Sequence, residues 1–492
     1  MNSIWNMPTA APETVGIPSA AIQKFLTRLE NRGVAMHDAL IMRHDTLVSE
    51  TYWKPFDQKR FHRMFSTTKS FTSAAIGILI GDGKLQLNDR ISDYFTDLLP
   101  GDLHPWTRQA TIRDLLRMAT SIDITSHDDT TPDWAASFFH YPVSHIPGQI
   151  FRYDTSASST LSILVERLSG MKMTEFLRER LFIPAGMSED IRCILTNCGH
   201  DWGGSGLLCT PRDLMRFAQV CMRKGSWDGR QLIPEWYMTE ATQKQIDNSM
   251  PNSVCDKKQG YGYQFWCLRR GAFATCGMGR QDAYCLPEKD LIVVLNADAQ
   301  PIADAADSIY EAYWEMVDSM SDQPLAPNPA AELSLRAHSD SLALLCAKGA
   351  THSPTADRVS GLRYALSPNH LGFKNLSFTF KGNEGQLSYE NATGAHTLGF
   401  GFGRQVMQPF PETHYYGEQI GTPAGRGYDC FTSAAWCSEN TLSLECRVVD
   451  IHVGTLYMQF AFTENTVTLY AIKYAEWFFQ DYTGFASGSV SI

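Results

Sequence analysis

The chain has 492 residues, of which 43% are hydrophobic and 19% charged, so it can bury a sizeable core and shows no signature of disorder. Its net charge of −11 argues against nucleic acid and anionic lipid as partners, because both require a basic face. The first 25 residues lack a basic segment followed by an apolar run, and no stretch approaches the ~20 apolar residues of a membrane span. We therefore expect a cytoplasmic protein with reduced cysteines and no membrane partner.

The predicted elements begin with strands and pass into helices. Segments 38–42 and 46–53 read as strands around a polar turn, and a helix over 71–80, apolar nearly all round, ends at Gly81-Asp82-Gly83. Further elements are predicted as helices over 111–118, 161–168 and 211–222, strands over 261–266 and 291–295, and a helix over 303–320. Strands at both ends of this segment predict one α+β domain over residues 1–322.

The composition and the hydrophobic pattern of the sequence change after this domain. Residues 323–357 are predicted as a linker region, because the segment 321–335 is rich in proline and in small or polar residues. From residue 358 short strands alternate in polarity, as where Leu442, Leu444 and Cys446 alternate with polar residues. Repeated strands with one apolar face predict an antiparallel barrel or sandwich over 358–492.

The sharpest local signal for chemistry is Ser66 followed three residues later by Lys69, at the start of the predicted buried helix. This spacing puts both side chains on one face of a helix. A serine hydroxyl needs a base to become a nucleophile, and a desolvated lysine can act as that base. The alternative is a serine that caps the helix beside a solvated lysine. The same spacing recurs at Ser169 and Lys172, but a glycine follows the end of a predicted helix there, so we expect no site.

Tyr153 is the second candidate, 87 residues after Ser66, in a turn that leads into the predicted 161–168 helix. A tyrosine held between the serine and Lys69 could pass a proton to a leaving group if cationic neighbours adjust its pKa. The alternative is a tyrosine that only packs at a helix entrance.

Taken in order, these residues make the sequence resemble the serine β-lactamase and penicillin-binding-protein superfamily, in its class C or esterase-like branch, over roughly residues 12–320. Residues 65–70 match the first motif of that superfamily, and Tyr153-Asp154-Thr155 resembles the second. The third motif is usually Lys-Thr-Gly or His-x-Gly. Its best match is Gly277-Met278-Gly279, followed by Arg280, where glycine replaces the usual cation.

The resemblance implies a fold and a mechanism. The first domain would be an antiparallel sheet flanked by helices, with a helical subdomain, and the second a lipocalin-like barrel. Lys69 with Tyr153 would deprotonate Ser66, which would form an acyl-enzyme that water then hydrolyses. The N–H groups of Ser66 and Arg280 would form the oxyanion hole, and Thr155 would bond to Lys69 or to substrate. The expected activity is a serine hydrolase that cleaves a small ester or amide, without a metal or other cofactor.

Two alternatives remain at this point. A D-aminopeptidase, carboxypeptidase or β-lactamase would need an anchor for a substrate carboxylate, and Arg280 is the nearby candidate. A non-catalytic binding or assembly module would explain why the second and third motifs are altered. The stretch 203–207 misses the G-x-S-x-G pattern of a nucleophile elbow, and His62 is expected in a solvent-exposed loop. The sequence does not predict an oligomeric state.

Overall fold

The structure is a computed structural model that describes residues 3–123, 133–249, 255–412, 427–475 and 482–491. The chain forms two compact units with a boundary between Ala343 and Leu344. The segment predicted as a linker contains one helix in each unit, because Asn328 caps a helix that starts at Pro329, and Ser353 caps a second. In the described ranges no helix is long and apolar enough to cross a membrane.

The first unit consists of eleven helices and eleven strands within the described residues. The helices are α1 (Ser19–Asn31), α2 (Thr68–Gly81), α3 (Pro105–Gln109), α4 (Ile112–Leu116), α5 (Trp134–His140), α6 (Thr155–Ser169), α7 (Met173–Leu177), α8 (Pro211–Met222), α9 (Glu235–Ala241), α10 (Ala305–Asp318) and α11 (Pro329–Ser341). The strands are β1 (Ala35–Arg43), β2 (Thr46–Tyr52), β3 (His62–Arg63), β4 (Arg192–Cys193), β5 (Leu207–Cys209), β6 (Ser226–Trp227), β7 (Arg230–Gln231), β8 (Trp266–Cys267), β9 (Phe273–Gly277), β10 (Gln281–Leu286) and β11 (Leu291–Asp298).

A six-stranded antiparallel sheet in the order β2-β1-β11-β10-β9-β8 is the frame of this unit. Every residue of β1, β10 and β11 is buried, because α1 and α10 cover one face of the sheet and the helical part of the chain covers the other. The sheet joins strands from both ends of the unit. The predicted α+β class, with a sheet flanked by helices, is therefore confirmed.

The predicted strand over 261–266 is largely wrong, since only Trp266 and Cys267 form strand β8. Before it the backbone turns sharply, and Gln264 has a positive φ of 65°. A side chain at Gly262 would collide with the carbonyl of Ala241, so this glycine lets the turn pack against the end of α9. The alternating aromatic residues line a turn that looks like a strand in the sequence.

The second unit is a closed antiparallel barrel preceded by a short helix. The helix is α12 (Pro354–Val359), and the strands are β12 (Arg363–Leu366), β13 (Asn375–Lys381), β14 (Glu384–Asn391), β15 (Gly394–Phe402), β16 (Val406–Pro409), β17 (Asp429–Ser438), β18 (Thr441–Val449), β19 (Val453–Phe462), β20 (Thr466–Ala475) and β21 (Gly484–Val490). A short parallel pairing of β15 with β17 closes the ring, and the buried residues of alternate positions fill its interior. The barrel rather than the sandwich is therefore confirmed.

Candidate active site

Ser66 lies in a short helical turn over residues 65–67 that leads directly into α2. Neighbouring residues fix this turn to the sheet: the hydroxyl of Thr67 donates to the carbonyl of Gln281 at 2.6 Å, and the N–H of Met64 donates to a carbonyl of β5 at 2.7 Å. The side chain of Ser66 itself is partly exposed. The nucleophile candidate is thus held rigidly but remains open to a ligand.

Lys69 is buried, and its Nζ lies 3.0 Å from the hydroxyl oxygen of Ser66. The same Nζ donates to the carbonyl oxygen of Gly204 at 2.6 Å. One helical turn separates the two side chains, as the spacing predicted. The Lys69 amine is therefore oriented by a backbone carbonyl on one side and faces the serine on the other.

Tyr153 completes the group, because its ring lies 5.0 Å from the Nζ of Lys69 and its phenol is close enough to Ser66 for that hydroxyl to influence its pKa. Burial raises the pKa of Tyr153 well above its usual value, while the bond with Ser66 opposes that shift. The phenol accordingly keeps its proton at neutral pH and is equipped to donate it. The structure thus brings Ser66, Lys69 and Tyr153 together.

The residue that follows, Asp154, is fully buried. Its carboxylate caps α6 by accepting a hydrogen bond from the N–H of Ser156 at 2.8 Å. Burial raises the pKa of Asp154 to about 6, and the bonds from Ser156 and the charge of Lys69 oppose this shift. This carboxyl therefore holds the entrance of α6, where the tyrosine is placed.

The third motif lies beside the turn that carries Ser66. There the backbone of Gly277 closely approaches the backbone of Met64. A Cβ atom on Gly277 would be 2.3 Å from the carbonyl oxygen of Met64, so only glycine fits there. The N–H of Arg280, the predicted second oxyanion donor, already donates to the carbonyl of Gly277 at 3.2 Å and closes the β9–β10 turn. Within the described part of the chain, the N–H groups of Ser66 and Met278 have no protein acceptor. Among the described residues the N–H groups of Met278 and Gly279 are therefore the free donors at this turn, whereas that of Arg280 is occupied.

The structure also shows where the other residues singled out in the sequence lie. Thr155 is the first residue of α6, next to Gly204, and its bonding to Lys69 or to substrate stays a prediction. His62, expected in an exposed loop, is buried in β3 with its Nε2 3.2 Å from a carboxylate oxygen of Asp38, so that expectation was wrong. Ser169 ends α6 and donates its hydroxyl to backbone carbonyls.

Sequence reasoning missed two contributors to this site. The carbonyl of Gly204 orients Lys69, although a carbonyl carries no residue-type signal. Trp266 stacks on Tyr153 with 5.6 Å between ring centroids, and Phe151 and Tyr261 pack around them. The aromatic residues at 261–266 were the available signal, but their alternation favoured a strand. They give the site an apolar wall beside the reactive group.

With this geometry in view, comparison with known proteins shows that the family model described as Beta-lactamase matches residues 19–315. The chain belongs to the beta-lactamase family. Among curated proteins, the 6-aminohexanoate-dimer hydrolase of Paenarthrobacter ureafaciens is 21% identical over 323 residues, which cover 58% of this chain and 81% of that protein. A penicillin-binding protein homologue from Caulobacter crescentus has a TM-score of 0.50 and 15% identity, and the match covers 62% of this chain and 98% of the homologue.

These matches confirm the family to which the motifs pointed. At 15% identity the structural likeness shows the fold alone. The family membership makes this chain a hydrolase of the β-lactamase and penicillin-binding-protein type. The mechanism and the class of bond that is cleaved must be inferred from the residues of this chain.

Proposed function

We propose that this beta-lactamase family member is a serine hydrolase that cleaves a small amide or ester through an acyl-enzyme on Ser66. The observation that carries the proposal is the distance of 3.0 Å between the Nζ of Lys69 and the hydroxyl of Ser66, with the ring of Tyr153 5.0 Å from the same Nζ. A nucleophile within hydrogen-bond reach of an oriented base is the arrangement that nucleophilic catalysis requires.

In the proposed first step, neutral Lys69 accepts the proton of Ser66 as the serine oxygen attacks the substrate carbonyl. A neutral amine has two N–H groups and one lone pair. Since one N–H is bonded to the carbonyl of Gly204 at 2.6 Å, the lone pair can face the serine. Tyr153 then donates its proton to the leaving group, because its raised pKa keeps the phenol protonated. The Lys69 ammonium then returns its proton to the Tyr153 phenolate. In the second step water attacks the acyl-enzyme, Lys69 accepts a proton of that water, and the proton passes to the Ser66 oxygen as the ester bond to the enzyme breaks.

The negative charge on the tetrahedral oxygen needs donors that are already in place. We assign this role to the N–H groups of Ser66 and Met278, which have no acceptor within the described residues. The N–H at the start of a helix also benefits from the positive end of the α2 dipole.

The similarity to a 6-aminohexanoate-dimer hydrolase supports an amide as well as an ester as the bond that is cleaved. A fluorophosphonate probe on the full chain should label Ser66, and Ser66→Ala should abolish both the labelling and the turnover of p-nitrophenyl esters. Ser169→Ala is the matched control, because Ser169 belongs to the second S-x-x-K pattern and bonds only to backbone carbonyls and N–H groups. Labelling or turnover that persists in Ser66→Ala would refute the proposal and favour a non-catalytic role for this serine.

A further inference from the structure

A buried arginine contacts both the loop that orients Lys69 and the turn that carries Ser66. Arg63 lies in strand β3, three residues before Ser66, and is completely buried. Its Nε donates to the carbonyl oxygen of Ser205 at 3.0 Å, and its Nη2 donates to the hydroxyl oxygen of the same residue at 3.1 Å. The guanidinium also lies 4.8 Å from the centroid of the Trp202 ring, which belongs to the same loop. Arg63 thus holds this loop at several points.

The loop over residues 203–205 presents three successive carbonyl groups to side chains of α2 and β3. In chain order these oxygens accept from Thr72, Lys69 and Arg63, at 2.7, 2.6 and 3.0 Å. The other side of the loop is packed closely, because a Cβ atom at either of its two glycines would lie within 2.5 Å of a side-chain atom of α6. The middle carbonyl, that of Gly204, therefore has a fixed neighbour on each side, and Arg63 fixes the one that follows.

The same guanidinium contacts the residue that directly precedes the nucleophile. Phe65 has a positive φ of 45°, a backbone conformation that is unfavourable for an aromatic residue and persists only where its surroundings hold it. The Phe65 ring packs on the guanidinium of Arg63, which lies 4.2 Å from the ring centroid. One side chain therefore contacts both the residue before Ser66 and the residue after Gly204.

We propose that Arg63 is a positioning residue of this hydrolase, which fixes the Gly204 carbonyl, and through it the Lys69 amine, relative to the turn that carries Ser66. The inference rests on the proposed function of Ser66 and Lys69. A lysine amine sits on a flexible chain of four carbons, so its lone pair faces the serine only while its other bonds keep it in place. If the loop shifts by about 1 Å, the loss of alignment can cost about 10²-fold in rate. The alternative is an arginine that only stabilises the fold.

The test separates the reactivity of each site from the number of intact sites. The rate constant with which a fluorophosphonate probe labels Ser66 reports how well the hydroxyl is activated, whereas the final amount of label counts the folded sites. In the full chain, Arg63→Met should lower this rate constant by about 10²-fold, with a final amount of label near that of the unmodified chain. Arg63→Lys should recover about tenfold of the loss, because its ammonium can still donate to the Ser205 carbonyl. A purely structural arginine would lower the final amount of label and leave the rate constant unchanged.

Arg216→Met is the matched control, because Arg216 is also buried, donates to a backbone carbonyl at 2.6 Å and lies 4.1 Å from the centroid of a tryptophan ring, but in α8. It should lower the melting temperature and leave the rate constant unchanged. A folded Arg63→Met protein that labels as fast as the unmodified chain would overturn the inference, as would an equal fall in Arg216→Met. If Arg63→Met does not fold, an unchanged rate constant in Arg63→Lys overturns it. Labelling that persists in Ser66→Ala overturns the proposed function instead, so the two failures are distinguishable.

Discussion

Gly277→Ala is the change that tests most directly whether the third motif positions the nucleophile. The new methyl group would lie 2.3 Å from the carbonyl oxygen of Met64, whereas ordinary van der Waals contacts begin at 3.4 Å. The backbone must therefore separate by about 1 Å. Met64 cannot yield easily, because its N–H donates to Leu207 at 2.7 Å and its carbonyl accepts from Thr67 at 3.0 Å.

The displacement passes to the turn that carries Ser66, two residues after Met64. Misplacement of a reacting group by 1 Å can cost about 10²-fold in rate. We expect Gly277→Ala to lower kcat/KM for p-nitrophenyl esters by about this factor, with a circular dichroism spectrum like that of the unmodified chain. Gly101→Ala is the matched control, since a Cβ atom there meets nothing within 4 Å. A folded Gly277→Ala protein that keeps its kcat/KM would refute the reasoning.

Two further predictions concern the surrounding groups. Tyr153→Phe keeps the ring that stacks on Trp266 but removes the hydroxyl beside Ser66. We expect kcat/KM for an anilide to fall by about 10²–10⁴-fold. The fall for a p-nitrophenyl ester should be smaller, because its leaving group needs no proton. Burial raises the pKa of Asp154 from 3.8 to about 6. The free energy of unfolding should therefore fall by about 3 kcal/mol as the pH rises from about 4 to about 6. Urea titrations of Asp154→Asn should not show this fall.

Each of these predictions has an outcome that contradicts it. Equal losses on anilide and ester in Tyr153→Phe would remove the role of proton donor. For Asp154 the sign follows from the raised pKa: the unfolded chain loses its proton first, so stability present below about pH 4 is lost by about pH 6. A urea midpoint that depends on pH equally in both proteins would contradict it. The exposed Asp102→Asn serves as the control for a change in charge alone.

The sequence by itself determined the α+β class of the first unit and the antiparallel strands of the second, while the pairing of β15 with β17 decided between a barrel and a sandwich. It also determined the pairing of Ser66 with Lys69, because a spacing of three residues in a helix is a local property. Tyr153 came from an ordered set of motifs, each of which is weak alone. These features depend on residue type and short-range spacing, and both can be read along the chain.

Only the tertiary structure decided which backbone groups and which aromatic side chains surround the reactive group. Lys69 is oriented by the carbonyl of Gly204, 135 residues away, and every residue type carries the same carbonyl. The hairpin turn uses the N–H of Arg280, leaving that of Met278 free within the described residues. Trp266 stacks on Tyr153 from a separate turn, with no motif to mark it. Such contacts arise from packing between distant segments, so their partners are set by the fold and not by neighbouring residues.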